Sequence, residues 1–131
     1  MNFGDWLAQC PESLKQDPVW NFVAYQKSLW LFELVWLDCE RLKQKAQGRA
    51  LISQLVRSAD SISANIDEGF GRGMDRQEYT YYLRIALGSA RETRGRYFKV
   101  RHLLPEQVVQ HRMALCSEII ARLTATLNKR R

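Results

Sequence analysis

Apolar residues recur along this chain at intervals of three and four, the repeat of a helix that buries one face. Leu55, Ala59, Ile62 and Ile66 form one such stripe, which ends at Phe70. Gly71 and Gly73 follow with backbone freedom that a helix interior does not favour. Asp75 then reads as an N-cap, with Glu78 completing a capping box. A second stripe runs through Tyr79, Tyr82, Ala86, Ala90, Tyr97 and Val100. The pattern predicts two helices, from about Arg49 to Phe70 and from Gln77 to Leu103, joined by a glycine-rich corner.

The flanking segments carry the same periodicity. Asp17-Pro18 is a helix start, an N-cap followed by proline at the first helical position. The helix it opens extends to about Lys45, and Gln47-Gly48 is a short link. Within it, LWLFELVWL is apolar all round. Val19, Val23, Trp30, Leu34 and Leu37 make one stripe, predicted to face inward. Phe22, Leu29, Phe32 and Trp36 lie roughly opposite, and a second apolar face needs cover of its own. That points to an oligomer interface, with a fold-back of the N-terminal segment as the alternative cover. Pro105-Glu106 opens a last helix from Gln107 to Asn128, whose seam is Val109, Met113, Cys116, Ile120, Leu123 and Leu127. The prediction is an all-α fold: an antiparallel up-down four-helix bundle over residues 19–128. Residues 1–18 form a short N-terminal helical arm carrying Phe3 and Trp6, and 129–131 a basic tail.

Composition narrows the class. The chain has 131 residues, 46% hydrophobic and 26% charged, enough for one domain with its own core. The segment from Leu29 to Leu37 contains Glu33 and is about half the length a membrane span needs. No signal peptide pattern opens the chain, so a cytoplasmic protein with no membrane partner is expected. Cys10, Cys39 and Cys116 are too far apart for a metal knuckle and read as free thiols. His102 and His111 belong to no cluster, and the glycines near residue 70 follow no strand and precede no Walker lysine. No nucleophile, base and oxyanion donor assemble, so no enzyme, cofactor or metal is expected.

Charge adds the most. The net charge is +6, with residues 1–48 holding five basic and six acidic side chains against ten and six in 49–104. On the third helix Arg84, Arg91, Arg94 and Arg101 fall within about a third of the circumference at ideal geometry. Leu83, Leu87 and Phe98 are interleaved, Arg96 and Lys99 flank the stripe, and Glu92 is the only acid between residues 84 and 101. Arginine forks grip phosphates, so this face, with Lys129, Arg130 and Arg131 of the tail, is the candidate nucleic-acid contact. Ser61, Asn65, Ser89 and Glu92 are expected to form a polar network between the second and third helices, with a binding pocket as the other reading.

The run SISANIDEGFGRG at 61–73, followed by ALGSARE at 86–92, also resembles a family signature. The family is that of four-helix-bundle proteins encoded in intervening sequences of bacterial 23S rRNA genes, together with accessory variability proteins of diversity-generating retroelements. The matching residues are Ser61, Ile62, Asn65, Ile66, Glu68, Gly69, Gly88, Ser89 and Glu92. Asp67 stands where the family usually has a small apolar residue. The resemblance spans roughly residues 19–127. It implies a closed homopentamer that binds RNA or DNA and, through the retroelement proteins, a reverse transcriptase partner. The competing expectation is a structural oligomerisation module whose arginine face meets a protein partner.

Overall fold

The computed structural model describes residues 1–130, and all regular structure among them is helical. A short arm comprises α1 (Phe3–Gln9) and α2 (Glu12–Lys15). Four long helices follow: α3 (Val23–Leu42), α4 (Ala46–Arg72), α5 (Gln77–Lys99) and α6 (Glu106–Asn128). Each long helix packs on the next, and α6 closes back on α3.

The corner between α4 and α5 follows from its glycines. Gly73 has φ +100°, a conformation L side chains rarely adopt, and its N–H bonds the Phe70 carbonyl to stop α4. Gly69 lets the helices approach: a Cβ there would lie 3.3 Å from the Tyr79 carbonyl. The expected Asp75–Glu78 capping box does not form. Arg76 occupies the cap position and no side chain bonds the first turn of α5, because the turn is set by the Arg76 N–H to Gly73 carbonyl bond instead.

Two other boundaries shift. Asp17 does cap the chain after it, accepting from the Val19 N–H at 3.0 Å, but the helix it starts is one 3-10 turn, Pro18–Asn21. The backbone is then extended at Phe22 before α3 begins. Gly48 is no linker; it is buried in the first turn of α4, where a Cβ would meet the Leu42 carbonyl oxygen at 1.9 Å. The reversal between α3 and α4 is that tight.

The stripe predicted for α4 is the core: Leu55, Ala59, Ile62 and Ile66 are all fully buried. Each large member contributes about 1.5–3 kcal/mol relative to exposure. On α6, Val109, Cys116, Leu123 and Leu127 are buried as expected, while Leu115 and Ile119 take the places expected for Met113 and Ile120, which are only half-buried.

Of the inner stripe expected on and before α3, Val19, Trp30 and Leu34 are buried and Val23 is half-buried, but they are not its deepest residues. Ala24, Leu31, Val35 and Leu42 go deepest, with Ser28 and Asp38 among them, and Leu37 is 57% exposed. The arm packs on Trp30 and Trp20: the Phe3 ring lies 5.2 Å from Trp30, and Trp6 stacks on Trp20 at 6.4 Å. The Lys27 ammonium sits 3.9 Å from the Phe3 ring centre and fixes the arm from the α3 side. No helix among the described residues is long and apolar enough to cross a membrane.

Candidate functional site

α5 is oriented by what it buries. Tyr79, Leu83, Ala86, Ala90, Thr93 and Tyr97 face inward, and Tyr97 is locked by its hydroxyl donating to Asp38 Oδ2 at 2.6 Å. Leu83 is therefore core, fully buried, and not part of the basic face as its position beside the arginines suggested. Leu87 is half-buried, and Phe98 is 50% exposed.

The predicted cations divide into three settings. Arg84, Arg91 and Lys99 are exposed on the outer face. Arg101 is exposed just beyond α5, in the 3-10 turn Arg101–Leu103, because the helix expected to reach Leu103 ends at Lys99; its guanidinium lies 3.9 Å from the Phe98 ring centre and donates to the Phe98 carbonyl at 2.9 Å. Arg94 and Arg96 leave that face in opposite directions. Arg94 lies against α6, donating to Ser117 Oγ at 3.1 Å, and Arg96 crosses to α4, donating to Gln54 Oε1 at 2.7 Å. Among the described residues no carboxylate lies within ion-pairing distance of any of these six cations. Elsewhere on the molecule basic side chains do pair, as in Arg72–Glu68 and Arg122–Glu118. The outer face of α5 thus keeps uncompensated positive charge beside the exposed rings of Tyr81 and Phe98.

The tail behaves differently from expectation. Arg130 folds back on the α4–α5 corner, where it donates to the Met74 carbonyl and to Thr80 Oγ1 and lies over the Tyr79 ring. It clamps the corner instead of extending the basic face. Lys129 is exposed, and Arg131 lies outside the described residues.

The polar network forms between α4 and α5 with one change of membership. Asn65 Nδ2 donates to the carbonyl and hydroxyl of Ser61, Ser89 Oγ donates to Ser61 Oγ at 2.8 Å, and Thr93 joins Ser58 at 2.9 Å. Glu92 takes no part in it; its position on α5 turns it outward to solvent, and buried Thr93 replaces it. Above these hydroxyls a groove of about 390 Å³ opens between the helices, lined also by Gln54, Arg57, Glu92 and Arg96.

Sequence reasoning missed Gln54 and Arg57. Their signal was present: Gln54, Arg57, Ser61 and Asn65 are spaced like one helical edge. It also missed Asp38 and Arg112, which form a buried pair across α3 and α6. His111 beside them is exposed, yet its ring meets Trp30 edge-on at 5.4 Å and its Nδ1 lies 2.8 Å from Arg112 Nη1. Desolvation and the Arg112 charge lower its pKa.

Of the residues expected at an oligomer interface, Phe22 packs on Phe70 at 5.7 Å, and Leu29 and Phe32 are half-buried against the core. Trp36 is 65% exposed, next to Leu37. The three cysteines are free; burial pushes Cys116 up to about 12 and also raises Cys10 and Cys39.

A family model described as 23S rRNA-intervening sequence protein matches residues 21–125. That span takes in α3 to α6 up to the last turn and leaves out the arm. No curated protein and no solved structure matches the chain.

Proposed function

The chain belongs to the 23S rRNA-intervening sequence protein family, and we propose that it is a non-catalytic protein that docks RNA on the outer face of α5. The observation that carries this reading is the set of cations Arg84, Arg91, Lys99 and Arg101, exposed and without carboxylate partners among the described residues. Exposed faces of soluble helices usually mix signs, and this one carries Glu92 alone between residues 84 and 101. Contacts of this kind go to phosphates, so affinity falls steeply with salt and depends little on base identity.

The scaffold in this reading is an up-down antiparallel bundle of α3 to α6, supported by the three short connections and by the closed order of packing. The protein acts in the cytoplasm and self-associates. The exposed Trp36 and Leu37 support self-association, since adjoining large apolar side chains in water favour a partner surface. The homopentamer and the reverse transcriptase partner rest on the family resemblance.

The test is a filter-binding titration at two salt concentrations with the wild type and the quadruple variant Arg84→Ala, Arg91→Ala, Lys99→Ala, Arg101→Ala. Weakened retention of RNA by a folded variant is the expected result, and unchanged retention rejects the reading. The second reading, an oligomerisation module whose basic face meets a protein, is favoured by the same Trp36–Leu37 surface. The RNA titration separates the two, since an oligomerisation module retains no RNA; light scattering on wild type and Trp36→Ser reports the assembly itself, and a monomeric wild type removes the homopentamer.

A further inference from the structure

The α4–α5 groove holds two cations and an anion that do not neutralise one another. Glu92 and Arg96 are one turn apart on α5, a spacing at which such side chains commonly pair. They do not pair here. Arg96 reaches Gln54 instead, and its Nε is buried with no hydrogen-bond partner. Arg57 and Glu92 are exposed at the same groove, and no carboxylate among the described residues pairs with Arg57. The hydroxyls beneath are already bonded to one another, Ser89 to Ser61 and Thr93 to Ser58. The groups left to meet a ligand are therefore the Arg96 and Arg57 guanidinium groups, the Glu92 carboxylate and the Ser61 hydroxyl proton, which donates to nothing among the described residues.

A bare phosphate would satisfy the first two and be repelled by the third. A carboxylate only accepts, so the ligand must carry a hydrogen-bond donor beside its anion. Resting on the RNA reading above, we propose that the groove receives one ribose-phosphate unit of an RNA strand. The phosphate oxygens accept from the Arg96 and Arg57 guanidinium groups, and the ribose 2′-hydroxyl donates to Glu92. A carboxylate holding a ribose hydroxyl next to a bound phosphate is sound chemistry, used by dinucleotide-binding folds. The 2′-hydroxyl is also the group that separates RNA from DNA. The volume of 390 Å³ lies at the small end of the roughly 300–1,000 Å³ typical of ligand clefts, suited to one unit of a strand. The rest of the strand runs on the outer face, where Arg91 adjoins Glu92 in sequence and Lys99 lies two turns on.

The experiment uses fluorescent oligonucleotides of one sequence as RNA, DNA and 2′-O-methyl RNA. They are titrated with wild type, Glu92→Ala and Arg57→Ala, each first checked for folding by its melting curve. Both positions are exposed on helices, where alanine is well tolerated. Wild type is expected to favour RNA over the other two by roughly tenfold, the size of one hydrogen bond to a charged group. Glu92→Ala should erase that preference by weakening RNA while DNA stays equal or tightens. Arg57→Ala should weaken all three. Equal affinities in the wild type, or a preference that survives Glu92→Ala, overturns the groove assignment and leaves RNA docking on α5 standing. Displacement of the RNA by equimolar adenosine monophosphate reassigns the groove to a free nucleotide and also overturns it. Absence of any RNA binding overturns both.

Discussion

The carboxylate of Asp38 on α3 is held by Arg112 on α6 through two parallel bonds, Nε to Oδ2 at 2.8 Å and Nη2 to Oδ1 at 3.0 Å. Tyr97 of α5 donates to the same Oδ2, so one buried carboxylate ties three helices together. Burial and the Asp38 charge raise the Tyr97 pKa well above the usual phenol value, which keeps it a donor at all ordinary pH. Arg112→Ala leaves this carboxylate buried and unpaired and should cost about 3–5 kcal/mol. Tyr97→Phe removes one bond to a charged acceptor and should cost about 1.5–3 kcal/mol. Urea denaturation measures both, and equal small losses would mean that the pair is not what registers α3 against α6.

Glycine substitutions on two helices should move stability in opposite directions. A Cβ at Gly48 collides with the backbone of Leu42, which has no side-chain freedom to yield, so Gly48→Ala should destabilise by about 1–3 kcal/mol or more. At Gly88 and Gly95 a Cβ meets nothing within 4 Å, so alanine there should gain up to about 1 kcal/mol of helix propensity each. Melting temperatures decide it. A loss at Gly88 or Gly95 would indicate that something in the assembled protein approaches the bare backbone of α5.

The contrast between α4 and α3 explains how much of this molecule was legible beforehand. On α4 polar residues flank the apolar stripe, so the period alone located Leu55, Ala59, Ile62 and Ile66 in the core. On α3 nearly every position from Leu29 to Leu37 is apolar, and a period carries no direction when both faces are greasy. The arm then decided the matter, covering Trp30 and leaving Trp36 and Leu37 outside. The arginine stripe was legible as charge but not as contact. Arg94, Arg96 and Arg130 are long enough to choose partners on other helices, and those partners are 23, 42 and 50 or more residues away in sequence. Asp38 and Arg112, 74 residues apart, gave no local signal at all.

Asp67 should make stability depend on pH in an unusual sense. Burial raises its pKa, the Tyr25 hydroxyl bonded to it at 3.2 Å pulls the other way, and Asp17 raises it further; the net shift is upward. The folded state thus holds the proton more tightly than the unfolded chain. Ionisation costs stability above the folded pKa, and the cost is absent below the unfolded value. Asp67→Asn keeps an acceptor for Tyr25 without the charge. It should be more stable than the wild type at about pH 7, and the difference should vanish near pH 3, below the usual carboxylate range. A difference of the same size at both pH values would show that the charge is not responsible.

The proposed docking of RNA on α5 makes the number of phosphate contacts countable from salt dependence. Each contact to a single strand contributes about 0.7 to the slope of log K against log salt. Arg84→Ala and Arg91→Ala, whose side chains stand in solvent without acid partners, should each lower the slope by about that amount. Arg130→Ala provides the contrast. Its guanidinium is occupied by the Met74 carbonyl, Thr80 and the Tyr79 ring, so the slope should stay the same while the melting temperature falls as the α4–α5 corner loosens. Titrations over a range of potassium chloride read the slopes, and scanning calorimetry reads the melting. If Arg130→Ala flattened the slope as much as Arg91→Ala did, the tail would have to leave its corner and join the strand. The outer face of α5 alone would then be too small a description of the binding surface.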